Sequence, residues 1–241
     1  MEKDLTFLGG LKLSHRFKSL VAIGVIFMVT GCTYSNQVTM DPKVGKLEIT
    51  KPIPLEAGLL ITEESKKQIF RSGPNPAFQF NYPVFFLEPY QLPIGEAFEK
   101  AAVQVFSQVF LKVHPIRSLD EARNYPLVLE PKLTGFDFRL VYFHWGMWPP
   151  YTGVDIQGQA KVSGTLISQG RKIWEKTIEP PLGTRYQVYT ELAKNTVGEE
   201  ASERIIRALQ GLALKMVEES TVMPSPPYRG WLQEMDQSKQ Q

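Results

Sequence analysis

The run Val154-Asp155-Ile156-Gln157-Gly158-Gln159-Ala160-Lys161-Val162-Ser163-Gly164-Thr165-Leu166-Ile167 alternates without a break. Apolar or small residues occupy 154, 156, 158, 160, 162, 164 and 166; the positions between them are polar or, at the end, Ile167. A period of two is the pattern of a strand, and one polar side means a sheet that is wet on one face and covered on the other. Gly158, Ala160 and Gly164 on the covered side leave room for helices to approach closely. Ser168-Gln169-Gly170 then reads as a hairpin turn into a partner strand over Lys172–Ile178.

Upstream, Leu127, Leu129 and Leu133 alternate through Pro131, and after Gly135 the phase shifts to Phe136, Phe138, Leu140 and Tyr142. A glycine at a change of phase is a bulge signal. Ala57–Thr62 reads as a short strand; Phe78, Phe80 and Tyr82, then Val84–Leu87 after Pro83, read as one strand or two. The helical pattern is different: Ile94, Phe98, Ala101, Ala102, Val105, Phe106, Val109 and Phe110 recur on one face of a helix. Val197, Ala201, Ile205, Ala208, Leu209, Leu212 and Met216 do the same across Val197–Glu218, with Thr196-Val197-Gly198-Glu199 as a capping candidate. Ser118-Leu119-Asp120-Glu121 has the form of a capping box opening one short turn. The expected fold is α+β: a two-layer sandwich in which two amphipathic helices cover one face of an antiparallel or mixed sheet.

Cys32 is the only cysteine among 241 residues, and it closes the tetrapeptide Val29-Thr30-Gly31-Cys32. Lys12, Arg16 and Lys18 lead into an uncharged run, Leu20–Thr30, about half of what a membrane-spanning helix needs. A basic region, a short apolar region and a small-residue cleavage site make a secretory signal. With cysteine directly after Gly31, the segment resembles the lipobox of bacterial lipoproteins. The resemblance implies diacylglycerol on the Cys32 thiol, cleavage before it, and a membrane anchor through the lipid. Thr33 stands where, in that family, aspartate goes with inner-membrane retention, so the resemblance implies the outer membrane, facing the periplasm. The element order is also similar to that of the lipopolysaccharide-assembly lipoprotein that plugs a barrel partner, one of the small α+β outer-membrane assembly and transport lipoproteins.

The expected organisation is a signal over 1–31, a flexible tether over 32–46, one α+β domain over 47–222 and a Pro-rich, polar tail over 223–241. The chain has 27 basic and 25 acidic residues. Residues 1–31 hold Lys3, Lys12, Arg16 and Lys18 against Glu2 and Asp4, so the remainder carries 23 of each sign. A neutral domain without a polybasic patch does not point to nucleic acid. With no second cysteine, an intramolecular disulfide is impossible, and stability in an oxidising compartment must come from packing.

Catalytic chemistry has little to build on. Past Cys32 there are two histidines, His114 and His144, with no His-x-x-x-His and no Cys/His cluster, so no metal site is expected, and no cofactor beyond the covalent lipid on Cys32. His114, before Pro115, reads as a helix-terminal side chain near the last carbonyls. Gly-x-Ser-x-Gly is absent. Asp137 and Asp155 are the acids nearest the aromatic segment; as a pair they could do acid–base work, and a hydrolase would use Asp137 or Asp155.

That segment, Tyr142-Phe143-His144-Trp145-Gly146-Met147-Trp148-Pro149-Pro150-Tyr151, is the one departure from an ordinary sheet protein. Three readings are open: a packed mini-core, a partner surface built on Tyr142, Phe143, Trp145, Met147, Trp148 and Tyr151, or a contact with the bilayer interface. The functional expectation is a non-enzymatic accessory or assembly lipoprotein of an envelope machine serving transport, secretion or a surface appendage, with a protein partner. The alternative is a carrier of lipid or a small apolar ligand held between helices and sheet, lined by Phe78, Phe80, Phe98, Phe106, Phe110, Phe136 and Phe138. An envelope hydrolase ranks behind both.

Overall fold

The computed structural model describes residues 36–49, 52–73, 89–145, 151–188 and 194–220. The elements in order are β1 (Asn36–Gln37), β2 (Ile53–Leu60), α1 (Glu63–Lys66), β3 (Phe70–Arg71), β4 (Tyr90–Leu92), α2 (Ile94–Phe106), β5 (Phe110–Ile116), α3 (Leu119–Ala122), β6 (Val128–Trp145), β7 (Tyr151–Ser168), β8 (Arg171–Ile178), β9 (Gly183–Val188) and α4 (Lys194–Glu218).

The large sheet is mixed. Its order is β5-β2-β6-β7-β8, with β9 on β7 beyond the end of β8. β2 runs parallel to both β5 and β6, while β6-β7, β7-β8 and β7-β9 are antiparallel. The alternation in β7 sorts as its residue types require: Val154, Ile156, Ala160, Val162 and Leu166 are buried, and Asp155, Gln157 and Lys161 are not. α2 and α4 cover this face. Phe98, Phe106, Ile205, Leu209 and Leu212 are fully buried against the strands. The α+β sandwich is therefore the architecture of the chain.

Close approach depends on glycine. A Cβ on Gly164 would stand 2.7 Å from Leu212 Cδ2 of α4, so the helix rests on bare backbone there. The β7–β8 turn is two residues long, with Gln169 at φ 50° and Gly170 at φ 76°. Both values are positive, as the type I′ hairpin requires, and its twist matches that of the flanking strands. The phase shift in β6 is a bulge: Leu133 pairs with Val162 and Gly135 with Lys161, which leaves Thr134 as the extra residue. Thr134 Oγ1 donates to Lys161 O at 3.2 Å.

Four expectations give way. The first helix stops at Phe106 rather than continuing through Phe110, because Phe110 opens β5 and its side chain is buried from the strand. β5 is thus a strand the periodicity did not disclose, and His114 lies on it, not at a helix end. α4 begins at Lys194, so Thr196 falls inside its first turn.

The largest change concerns the tether expected over 32–46. Over residues 36–46 the chain is packed on the rest of the domain. β1 pairs in parallel with β4, which also pairs with β3 in a second, three-stranded sheet. Val38 and Met40 are 2% and 4% exposed. Two glutamines fasten the rest. Val44 N–H donates to Gln104 Oε1 at 3.1 Å, and Gln104 Nε2 donates to Pro42 O at 3.1 Å. Leu47 N–H donates to Gln108 Oε1 at 2.8 Å, and Gln108 Nε2 donates to Gly45 O at 3.2 Å. A polar segment was expected to stay solvated; here its backbone finds partners on α2 and its few apolar side chains enter the core.

Candidate functional site

The two ends of the β6–β7 ribbon and the small sheet beside its middle are where the described surface departs from a plain covered sheet. The ribbon owes its length to unbroken pairing on both sides of the Thr134 bulge. It runs to Tyr142↔Val154, Phe143↔Gly153, His144↔Thr152 and Trp145↔Tyr151. The ends of the aromatic segment are therefore strand backbone, paired one to one. Gly146, Met147, Trp148, Pro149 and Pro150 lie outside the described residues, as do Cys32, Phe78, Phe80 and the tail over 223–241.

At the other end, the polar face of the sheet is not uniformly wet. Val128 and Ile167 are register partners on that face. With Leu60 and Ile116 they form a small second core, on which Ala122 and Tyr125 of the α3 turn are packed. Ser118 caps the turn: its Oγ accepts from Glu121 N–H at 3.3 Å, while Glu121 Oε2 accepts from Arg117 N–H at 3.0 Å. A groove of about 700 Å³ opens between Tyr125, Val128 and Ile167, with Asp120 and Arg123 on its rim. His114 lies beside it, its ring 5.1 Å from that of Tyr125 and its Nε2 2.9 Å from Glu56 Oε2.

The acids of the hydrolase reading are not brought together. Asp137 is the register partner of Gln159, and Asp155 that of Val141. Four residues of strand separate the two positions, about 13 Å at the usual rise, beyond the 5–9.5 Å used by paired catalytic carboxylates. Asp137 is engaged by Arg139 Nη2, and that contact raises the Arg139 pKa above its ordinary value. Among the described residues no three of His, Cys, Asp and Glu are grouped so as to hold a metal ion, and no helix is long and apolar enough to cross a membrane.

The phenylalanines expected to line a ligand site are packing material where they are described. Phe98, Phe106, Phe110 and Phe138 are at most 2% exposed. Phe136 is half-buried and meets Phe70 edge-on at 5.3 Å. Tyr90 of the small sheet meets Phe138 edge-on and donates its hydroxyl to Phe138 O at 3.3 Å. This contact ties the small sheet to the middle of the ribbon.

One charged group under the sheet was not legible beforehand. Arg204 of α4 is 5% exposed and crosses the glycine pair Gly158↔Gly183. Its Nη2 donates to Glu200 Oε2 at 2.9 Å, and Arg185 Nη1 of β9 engages Glu200 Oε1. Arg204 Nε has no partner among the described residues, and burial pulls the Arg204 pKa below its usual value. The i, i+4 pair Glu200/Arg204 was visible in sequence, but its burial depends on the two glycines opposite.

No protein-family model and no curated protein matches the sequence. Solved structures resemble it weakly. One is a Xanthomonas campestris protein of the DUF330 family (12% identity, TM-score 0.38, covering 86% of this chain and 99% of that one). Another is a minor lipoprotein of Acinetobacter baumannii (12%, TM-score 0.31, 70% and 92%). A third is a lipoprotein of Neisseria meningitidis (9%, TM-score 0.24, 64% and 97%).

Proposed function

We propose that the chain is a lipoprotein anchored in the outer membrane through diacylglycerol on Cys32, facing the periplasm. It is not an enzyme; it is an accessory or assembly factor of an envelope machine, acting through a protein partner. The observation that carries the partner reading is the register Trp145↔Tyr151. It places the backbone of residues 142–145 and 151 at the terminus of the longest ladder among the described strands. Trp and Tyr are residue types that anchor interfaces, and strand pairing fixes the backbone of Trp145 and Tyr151 ahead of any binding, which lowers the entropic cost.

The test is a pull-down from envelope extracts with wild-type protein and a Trp145→Ala, Trp148→Ala variant shown by circular dichroism to be folded. Loss of a specific partner supports the reading, and identical partner sets overturn it. The anchor is tested separately. Cys32→Ser should abolish palmitate labelling and move the protein out of the membrane fraction; continued labelling would sink the lipobox reading.

A carrier of a lipid or small apolar ligand remains the second reading. The groove at Tyr125, Val128 and Ile167 favours it, on the face opposite the helices rather than between helices and sheet. Native mass spectrometry of the purified protein checks it, and stoichiometric co-purifying lipid is the supporting result.

A further inference from the structure

We infer that the outer face of the three-stranded sheet is held against the lipid surface that carries the anchor. This rests on the lipobox reading of Cys32. The first described residue is Asn36, whose side chain is buried and whose N–H donates to Pro89 O at 2.8 Å. Val38 N–H follows, donating to Gln91 O at 3.0 Å. Three residues, Thr33, Tyr34 and Ser35, separate Cys32 from Asn36. Fully extended, the four steps from Cys32 to Asn36 reach at most about 14 Å. A tether running to residue 46 would leave every face free to meet the membrane; a link of three residues does not, because the strand it leads into must stay within that reach of the headgroups.

The face so confined is defined by register. Gln37 of β1 pairs with Gln91 of β4, which pairs with Arg71 of β3. Gln37 and Arg71 are exposed, whereas the neighbouring Asn36, Tyr90 and Leu92 are buried, so the row Gln37–Gln91–Arg71 forms the outer side. Ile69 flanks it at 51% exposure, one of the largest apolar exposures described. Between Gln37, Met40 and Ile69 lies a groove of about 350 Å³, with Lys100 and Glu96 on its edge. An apolar side chain beside cations is the composition that settles at a headgroup boundary.

The far end of the ribbon supplies a control. Tyr90 docks at Phe138, and Val128 stands ten residues away along β6, about 33 Å of strand. Lys172 is paired with Ile167, the partner of Val128.

Acylation consumes the single native thiol, so an added cysteine is the one site for a thiol-reactive label. Full-length lipidated protein carrying Gln37→Cys, Ile69→Cys or Lys172→Cys would be labelled with an environment-sensitive fluorophore. It would then be reconstituted into phosphatidylethanolamine/phosphatidylglycerol vesicles containing a headgroup-borne quencher. Quenching at 37 and 69 should exceed that at 172 severalfold. Flexible Gly/Ser residues inserted before Asn36 should bring the position-69 signal down towards that of 172. Equal quenching at all positions in protein that floats with the vesicles would overturn the inference and leave the anchor intact. Protein that does not float would overturn both.

Discussion

The guanidinium of Arg204 lies directly over Gly183: a Cβ at that glycine would stand 2.0 Å from Nη1. β9 thus gives up a side chain so that a cation on α4 can lie between helix and sheet. There Glu200 meets it, with Arg185 completing the pairing of that carboxylate. Breaking a buried pair from one side leaves an uncompensated charge and costs about 3–5 kcal/mol. Glu200→Ala should therefore lower stability by that amount in urea denaturation. A combined Glu200→Leu, Arg204→Met variant should recover most of the loss, since apolar replacement of a whole buried pair is close to neutral. Equal losses in both would show that packing, not charge, sets the cost.

Helix contact at Gly164 makes a second case. A methyl there falls 2.7 Å from Leu212 Cδ2. Gly164→Ala should cost about 1–3 kcal/mol through overpacking. Leu212→Ala alone should cost about 2–5 kcal/mol through the cavity it leaves. The double variant should lose less than the sum, because the new methyl occupies part of that cavity; strict additivity in a double-mutant cycle would contradict the contact.

The segment over 36–47 behaves as part of the domain in this structure, and that can be measured. Met40→Ala should destabilise by about 2–5 kcal/mol, as at any buried site, where a solvated tether would show no change. A Gln104→Ala, Gln108→Ala variant should release residues 42–47. Limited proteolysis should then cut between Asp41 and Leu47 faster than in wild type, with little change in the rest of the digestion pattern.

Acid stability should depend on the end of α4. Burial works to raise the Glu219 pKa, but it is outweighed by the hydrogen bond from Trp174 Nε1 at 2.8 Å and by Lys176 and Lys215, so the carboxyl sits below its ordinary value. A group whose folded pKa is depressed contributes stability above its unfolded pKa, about 4.3 for Glu, and loses that contribution as pH falls through the folded value. The Tm of wild type should exceed that of Glu219→Gln near neutral pH, and the gap should close as pH drops below about 4. A gap unchanged with pH would assign the effect to shape alone.

Much of the architecture was legible because it depends on local periodicity. The alternation in 154–167, the hairpin at Gln169-Gly170, the bulge at Gly135 and the stripes of α2 and α4 each state their own structure within a few residues. β5 was not legible, since Phe110-Leu111-Lys112-Val113-His114-Pro115-Ile116 continues the apolar spacing of α2 and carries a proline. Only parallel pairing with Ile53–Leu60, more than fifty residues away, makes it a strand. The packed segment after Asn36 was missed for the same kind of reason. Its composition is polar, and its partners, Gln104, Gln108 and the backbone of β4, lie more than fifty residues on.

The sequence by itself determined the class of fold, the sidedness of the central sheet, the neutral charge of the domain and the aromatic segment at 142–151. All of these are carried by neighbours in the chain, where spacing of two or of three to four residues decides which side chains can be buried together. The tertiary structure alone decided that polar residues 36–47 belong to the domain, that Arg204 is buried over two glycines, and that Asp137 and Asp155 stand apart. Those outcomes turn on contacts between distant segments, whose free energy depends on register and close approach rather than on residue type.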